Sequence, residues 1–328
     1  MNDVQSIDEI FGDLASLSRA ASGWCVQNPN VAAAVYDADG HFVATGSHKK
    51  KISDDHAEVI ALKAAGSRAK GGTLYVSLEP CHHTGTTGPC TEAIKASGIK
   101  KVVYAVADPN PIASGGAQAL SAAGIDVIYQ KSELLEFEQR AWLHRISSGR
   151  PLITAKVAVT LDGYIAASDG TSKWITNEDS RADVQRLRAQ VGAIVTTTST
   201  FLADRPSLLP RIEGAPTPHR IVMGEKQVDA DGFTHIKTRE LTELISLLNK
   251  EGINHALIES GGTFLSAMMK AELIDELVIY QAPKLLGSGK KWVENLGIDS
   301  LAGALGWECL GTYQIGSDVK MHYRRVHG

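Results

Sequence analysis

Apolar and polar positions along the chain alternate between a helical period and a strand period. Residues 6–24 put Ile7, Ile10, Phe11, Leu14 and Leu17 at helical spacing, which predicts a first helix. "VAAAVYD" (31–37) and "FVATG" (42–46) read as strands flanking the turn "DADG", a hairpin signal. The pattern continues with an amphipathic helix at 56–69, a strand at 73–79 and a helix at 90–98 ending on Gly98, a frequent helix stop. A strand "KKVVYAVAD", a helix "GAQALSAAG" and a short strand "IDVIYQ" come next. Strands alternating with helices predict a layered α/β domain with a largely parallel sheet.

A helix over 132–151 stops at Gly149 and Pro151, and the domain boundary is placed there, giving domains 1–149 and 150–328. The second domain repeats the α/β alternation. Strands are predicted at 152–160, "GAIVTTT", "HRIVMG", "HALIES" and "DELVIYQAP", with helices at about 177–190, 240–251 and 263–271. The sequence contains no internal repeat and no low-complexity segment.

Composition narrows the function classes. Of the 328 residues 43% are hydrophobic and 21% charged, as in a globular protein with real cores. The formal net charge of -4 argues against a nucleic-acid or anionic-membrane partner, whose footprint is basic. Lys49-Lys50-Lys51 is the one basic cluster of note, and three lysines in a row also describe a solvated turn. Four cysteines in so long a chain do not make a secreted disulfide scaffold. The acidic start "MNDVQSIDEIFGDL" has no apolar signal region, and no apolar run approaches the ~20 residues of a membrane span. A cytoplasmic protein with reduced thiols is expected.

The chemistry concentrates in "SLEPCHHTGTTGPC", Ser77 to Cys90. His56, Cys81 and Cys90 together offer one imidazole and two thiolates, a set suited to zinc. Three protein ligands leave a fourth position for water, as catalytic zinc requires. Glu58, two residues from His56, can reach the same pocket from a helix N-terminus, take a proton from the attacking water and return it to a leaving amine. Cys90 opens a helix, where a thiolate is favoured, and Cys81 follows the rigid Pro80. His56-Ala57-Glu58 and Pro80-Cys81 match the H-x-E and P-C signature of zinc deaminases, although the second cysteine comes nine positions after the first rather than three. The bland alternatives are a coincidental cysteine loop, a helix-capping His56, and a non-catalytic zinc staple. The staple predicts four protein ligands, and the sequence offers three plus Glu58.

The long cysteine loop narrows the family. "NPNV" (28–31), "HAE" (56–58), "LEPCHHTGTTGPC" (78–90) and "ADPNP" (107–111) resemble the deaminase half of the bifunctional riboflavin-biosynthesis deaminase–reductases. "KVAVTLDG" (156–163), "SDGTSKWIT" (168–176), "LADRPSLLPR" (202–211), "IESGG" (258–262) and "APKLLG" (282–287) resemble the reductase half. The resemblance implies a cytidine-deaminase-like three-layer domain followed by a dihydrofolate-reductase-like α/β domain. It implies removal of the exocyclic amine of a diamino-pyrimidinone ribosylamino 5′-phosphate, then NADPH-dependent reduction of the ribosyl group to ribityl. His56, Cys81 and Cys90 would then hold zinc, Glu58 would shuttle protons, and Asn28, His48, His83, Asp108 and Asn110 would line the deaminase pocket. Lys156, Ser172, Arg188, Leu208, Arg211 and Glu259 would meet the reductase substrate. Ala158, Trp174, Thr200, Asp204, Gly261, Gly262, Thr263 and Phe264 would meet NADPH.

General physics supports parts of this. Arg188 and Arg211 can hold a phosphate by charge-assisted hydrogen bonds. Gly261-Gly262, between strand and helix, lets backbone N–H groups approach a cofactor phosphate. Against this, Arg188 can be a solvated helix face and Trp174 a core residue.

The chain also departs from the family pattern. Thr86 replaces the basic residue of the cysteine loop, which would contact the substrate phosphate, and Gly88 replaces a proline. Ala32, Tyr164, Arg205 and Leu209 stand where the family has a glycine, a basic residue, Asp/Asn and a polar residue, and the segment between Arg211 and His219 is short. The cofactors expected are zinc and NADPH. The partners expected are a small-molecule substrate and further copies of the chain in a homo-oligomer, without nucleic acid or membrane. The competing functions are a deaminase with a non-catalytic reductase-like domain and, from another class, a base deaminase acting on nucleic acid. The latter needs a basic, aromatic-lined strand path that 6% aromatic residues and a negative charge do not supply.

Overall fold

The computed structural model describes residues 5–84 and 88–326. The chain divides into two compact units, Met1–Gly149 and Arg150–Gly328. Among the described residues no helix is long and apolar enough to cross a membrane.

The first unit runs α1 (Ile7–Ala21), β1 (Ala32–Tyr36), β2 (Phe42–Ser47), α2 (Ala57–Ala65), β3 (Thr73–Val76), α3 (Cys90–Ser97), β4 (Lys101–Tyr104), α4 (Gly116–Ala122), β5 (Asp126–Tyr129) and α5 (Glu133–Ser148). Its five-stranded sheet has the order β2-β1-β3-β4-β5. β1 is antiparallel to both neighbours, while β3, β4 and β5 are parallel. The expectation of a largely parallel sheet is therefore half right here. The β2–α2–β3 crossover keeps those two strands parallel, and the hairpin partner β1 fills the space between them. Every residue of β1 is buried, as it must be in a strand covered on both faces. α1 packs with α5, and α2 packs with α3, so helices form the outer layers of a three-layer unit.

Two local contacts fix the helices of this unit in place. Gly46 of β2 faces α2, and a Cβ there would collide with the Ala57 carbonyl and the Ala61 amide, so the helix lies directly on the strand backbone. The buried Asn30 and Gln139 bind α5 to the loop before β1. Asn30 Nδ2 donates to the Ser18 and Glu138 carbonyls, and Gln139 Nε2 donates to the Asn30 carbonyl. α5 ends at Ser148, with Gly149 in the left-handed region at φ 74°.

The second unit runs β6 (Leu152–Thr160), β7 (Tyr164–Ala166), α6 (Glu178–Ala189), β8 (Ala193–Thr197), α7 (Thr198–Asp204), β9 (His219–Met223), β10 (Thr234–Ile236), α8 (Leu241–Lys250), β11 (His255–Ile258), α9 (Gly262–Lys270), β12 (Glu276–Ala282), β13 (Lys290–Lys291), β14 (Trp307–Ile315) and β15 (Asp318–Arg325). Its main sheet has eight strands in the order β10-β9-β8-β11-β6-β12-β15-β14. The strands from β10 to β12 are parallel, and the β14–β15 hairpin adds antiparallel to β12. This is the α/β layering expected of the second domain, with an antiparallel hairpin added at one edge. Hydrophobic periodicity misses the hairpin because most of β14 is exposed and a register shift falls between Cys309 and Gly311. It also misses the short α7, β7, β10 and β13.

Candidate active sites

In the first unit three elements deliver three ligand-type atoms to one point. His56 is the N-cap of α2, extended at φ -75°, ψ 160°, so its ring leaves the helix start rather than the helix side. Cys90 is the first residue of α3, and Cys81 sits on the loop after β3. His56 Nδ1 lies 3.1 Å from Cys90 Sγ and 3.5 Å from Cys81 Sγ, and the three ligand atoms are all within 4.8 Å of one another. All four cysteines are unbridged. The backbone N–H of Cys90 donates to Cys81 Sγ at 3.5 Å, directing the start of α3 at that sulfur.

The titration behaviour follows from this crowding. Hydrogen bonds from Cys90 and His56 favour the Cys81 thiolate, and the hydrogen bond to Cys81, with burial, holds the Cys90 thiol up. The hydrogen bond to Cys81 raises His56. Two sulfurs and a ring nitrogen sharing protons at this range are a site that a soft-tolerant dication can take over. Glu58, only 3% exposed, stands beside them, and burial raises its carboxyl. A carboxyl so placed can both give and take a proton.

These groups open on a cavity of about 270 Å³. Asn28, His48, His83, Asp108 and Asn110 all line it. His48 Nδ1 faces the Asp55 carbonyl at 3.0 Å, which assigns it the donor proton and leaves Nε2 as an acceptor. That Nε2 and His83 Nδ1 are buried with no partner, an arrangement that calls for a polar ligand. Burial depresses His48 and raises Asp108 to about 6. Sequence reasoning missed Gln27, Glu79, Trp142 and Arg145 in the lining. Glu79 lies inside the quoted cysteine loop and accepts from the amides of Asp108, Gly115 and Ala117, tying three segments together. Trp142, Arg145 and Ile146 form an i, i+3, i+4 face of α5. Lys50 is the one member of the lysine triplet in the lining, and it pairs with Asp54. Thr86 lies outside the described residues.

In the second unit a cavity of about 480 Å³ is lined by Lys156, Ala158, Ser172, Arg188, Thr200, Asp204, Leu208, Glu259, Gly261, Gly262 and Thr263. Arg211, Trp174 and Phe264 lie outside the lining. Arg211 is exposed and gives its amide to Gln185, and Trp174 is 65% exposed with Arg181 over its ring. The bland alternative for Arg188, a solvated helix face, does not hold, because its side chain lines the cavity. Its Nε and Nη2 hold the two Glu259 oxygens at 2.7 and 3.0 Å, and Lys156 Nζ joins at 3.0 Å. Burial would raise the Glu259 carboxyl, but the Lys156 and Arg188 cations outweigh it and hold it down at about 2.

Gly261 is the N-cap of α9 and has no side-chain cap, so the first helix amides open on this cavity, where a Cβ on Gly261 would meet nothing. That end fits a phosphate-bearing cofactor. Thr263 Oγ1 is engaged by Glu294, and Lys290 and Lys291 complete the wall. Arg205 (φ 41°) and Leu208 (φ 53°) are left-handed on the loop after α7.

Comparison with known proteins follows the same division. Residues 5–106 match the cytidine and deoxycytidylate deaminase zinc-binding region, and residues 151–321 match the RibD C-terminal domain. The chain belongs to the RibD family. It is 37% identical over 336 residues to riboflavin biosynthesis protein RibD of Mycobacterium tuberculosis, covering 97% of each chain. It is 37% identical over 343 residues to the Escherichia coli protein of the same name, covering 90% of this chain and 93% of that one. Among solved structures, Acinetobacter baumannii RibD is 33% identical with a TM-score of 0.85 over 96% of this chain and 98% of that one. A diaminohydroxyphosphoribosylaminopyrimidine deaminase/5-amino-6-(5-phosphoribosylamino)uracil reductase of Thermotoga maritima is 26% identical with a TM-score of 0.88, over 97% and 98%. The chain is thus a riboflavin-biosynthesis enzyme with a deaminase and a reductase domain, acting on a small molecule.

Proposed function

We propose that the first unit deaminates a diamino-pyrimidinone ribosylamino 5′-phosphate and that the second reduces the deaminated product's ribosyl group to ribityl with NADPH. The observation that carries the reading is the meeting of His56, Cys81 and Cys90 within 4.8 Å, beside the buried Glu58 and at the wall of a cavity. The three residues would hold zinc, which supplies Lewis acidity and makes water a competent nucleophile near neutral pH. Glu58 takes the proton of the attacking water and returns it to the exocyclic nitrogen as the C–N bond breaks and ammonia leaves. His48 Nε2 accepts from the ring's polar edge, His83 Nδ1 faces it, and Asn28, Asp108 and Asn110 fix its orientation.

In the second unit NADPH would supply a hydride to the ribosyl C1′, whose bond to the ring oxygen breaks while that oxygen takes a proton, opening the sugar to the ribityl chain. The α9 amides and Gly261 would seat its phosphates, with Ala158, Thr200 and Asp204 alongside. Lys156, held by Glu259 with Arg188, presents a fixed ammonium to the sugar, and Ser172 and Leu208 bound it. Copies of the chain would assemble as a homo-oligomer in the reducing cytoplasm.

The purified protein is incubated with the pathway substrate with and without NADPH, and products are identified by mass. Ammonia and the deaminated ribosyl product are expected without NADPH, and the ribityl product with it. Deamination with no NADPH-dependent product would leave the deaminase alone, and no ammonia in either arm would overturn the reading.

A further inference from the structure

Between Cys81 and Cys90 the cysteine loop carries no Lys or Arg, so a phosphorylated substrate needs a cation from elsewhere in the cavity. Of the residues lining the first cavity, Lys50 and Arg145 alone carry a permanent positive charge. Lys50 is paired with the Asp54 carboxylate. Arg145 is partly buried, and its guanidinium makes no ion pair or side-chain hydrogen bond with the described residues. A partly buried cation without a carboxylate is costly unless an anion completes it. Arg145 is also held in place. Trp142 and Ile146 line the same wall, which turns this face of α5 to the cavity, and Gln139 and Asn30 lock the helix two turns earlier.

We infer that Arg145 is the phosphate-recognition residue of the deaminase cavity, replacing the cation missing from the cysteine loop. The inference rests on the deamination proposed above. The guanidinium fork matches a phosphate through two parallel N–H···O bonds, which a threonine hydroxyl cannot reproduce. The carboxylates in the lining, Glu58, Glu79 and Asp108, belong to the metal side and to the loops before α3 and α4. α5 therefore offers an anion a wall free of them. A different role for an arginine in the last turn of a helix is to balance the helix dipole. That role predicts lower stability on substitution and no change in substrate discrimination.

Ammonia release is followed for the wild type, Arg145→Gln and Arg145→Lys, on the phosphorylated substrate and on its dephosphorylated counterpart. In Arg145→Gln the KM for the phosphorylated substrate should rise about 10- to 100-fold, the span of a lost charge-assisted hydrogen bond, while the dephosphorylated compound is affected far less. Arg145→Lys should recover part of the loss. Inorganic phosphate should compete with substrate in the wild type, and its inhibition constant should rise about tenfold in Arg145→Gln. Equal losses on both substrates, or an unchanged phosphate inhibition constant, overturn the inference while leaving the deaminase reading intact. A wild type that releases no ammonia from either compound overturns that reading, and this inference with it.

Discussion

In the deamination proposed here, Glu58 is the residue on which the proton transfers turn. It is buried beside two thiols and an imidazole, with burial raising its carboxyl, so it carries a proton easily. Glu58→Gln keeps shape and loses basicity. Zinc content and thermal unfolding should match the wild type while ammonia release falls by about 10²–10⁴-fold, the usual worth of a general acid–base. Near-normal ammonia release would remove Glu58 from the chemistry. Cys90→Ser should lower zinc content below the one ion per chain proposed, read by elemental analysis. These residues were legible because ligand chemistry is written in residue type and order. Arg145 was not legible, because nothing in "QRAWLHRI" says which face of a helix meets a cavity whose other walls come from residues 27–113.

The elements matter through how closely they approach. α2 carries His56 at its cap and Glu58 in its first turn, and it rests on the backbone of β2 at Gly46. Gly46→Ala must push that helix outward and take both groups with it, away from Cys81 and Cys90 on other elements. Zinc affinity should fall about 10–100-fold, as when supports of metal ligands are disturbed, with a loss of stability typical of overpacking, about 1–3 kcal/mol. Competition with a zinc chelator and a melting curve measure the two; unchanged metal affinity would mean the helix yields elsewhere. The helices other than the short α7, and most strands, could be read from periodicity because their buried faces are regular. The β14–β15 hairpin could not, since an edge pair with one interrupted register carries no clean alternation. Its turn, Gly316-Ser317 between two strand-forming runs, was the available signal.

For the whole molecule, the acid response of the second unit centres on one buried carboxylate. Glu259 sits at about 2, below its ordinary 4.5, because Lys156 and Arg188 overcome its burial. A depressed carboxyl stabilises the fold above its unfolded value, and the contribution is lost as pH falls from 4.5 through about 2. Glu259→Gln leaves two partly buried cations facing an amide and should cost about 3–5 kcal/mol at neutral pH. That difference from the wild type should shrink as pH drops through the same window, followed by chemical denaturation at each pH. A constant difference would mean the carboxylate is not charged in the folded state. Each cavity takes its lining from one unit alone, residues 27–146 for one and 156–294 for the other. The boundary at Gly149–Arg150 therefore crosses neither wall. In genetic terms the two halves are complementing cistrons: a strain carrying a lesion in one unit should be rescued by a second gene copy damaged only in the other.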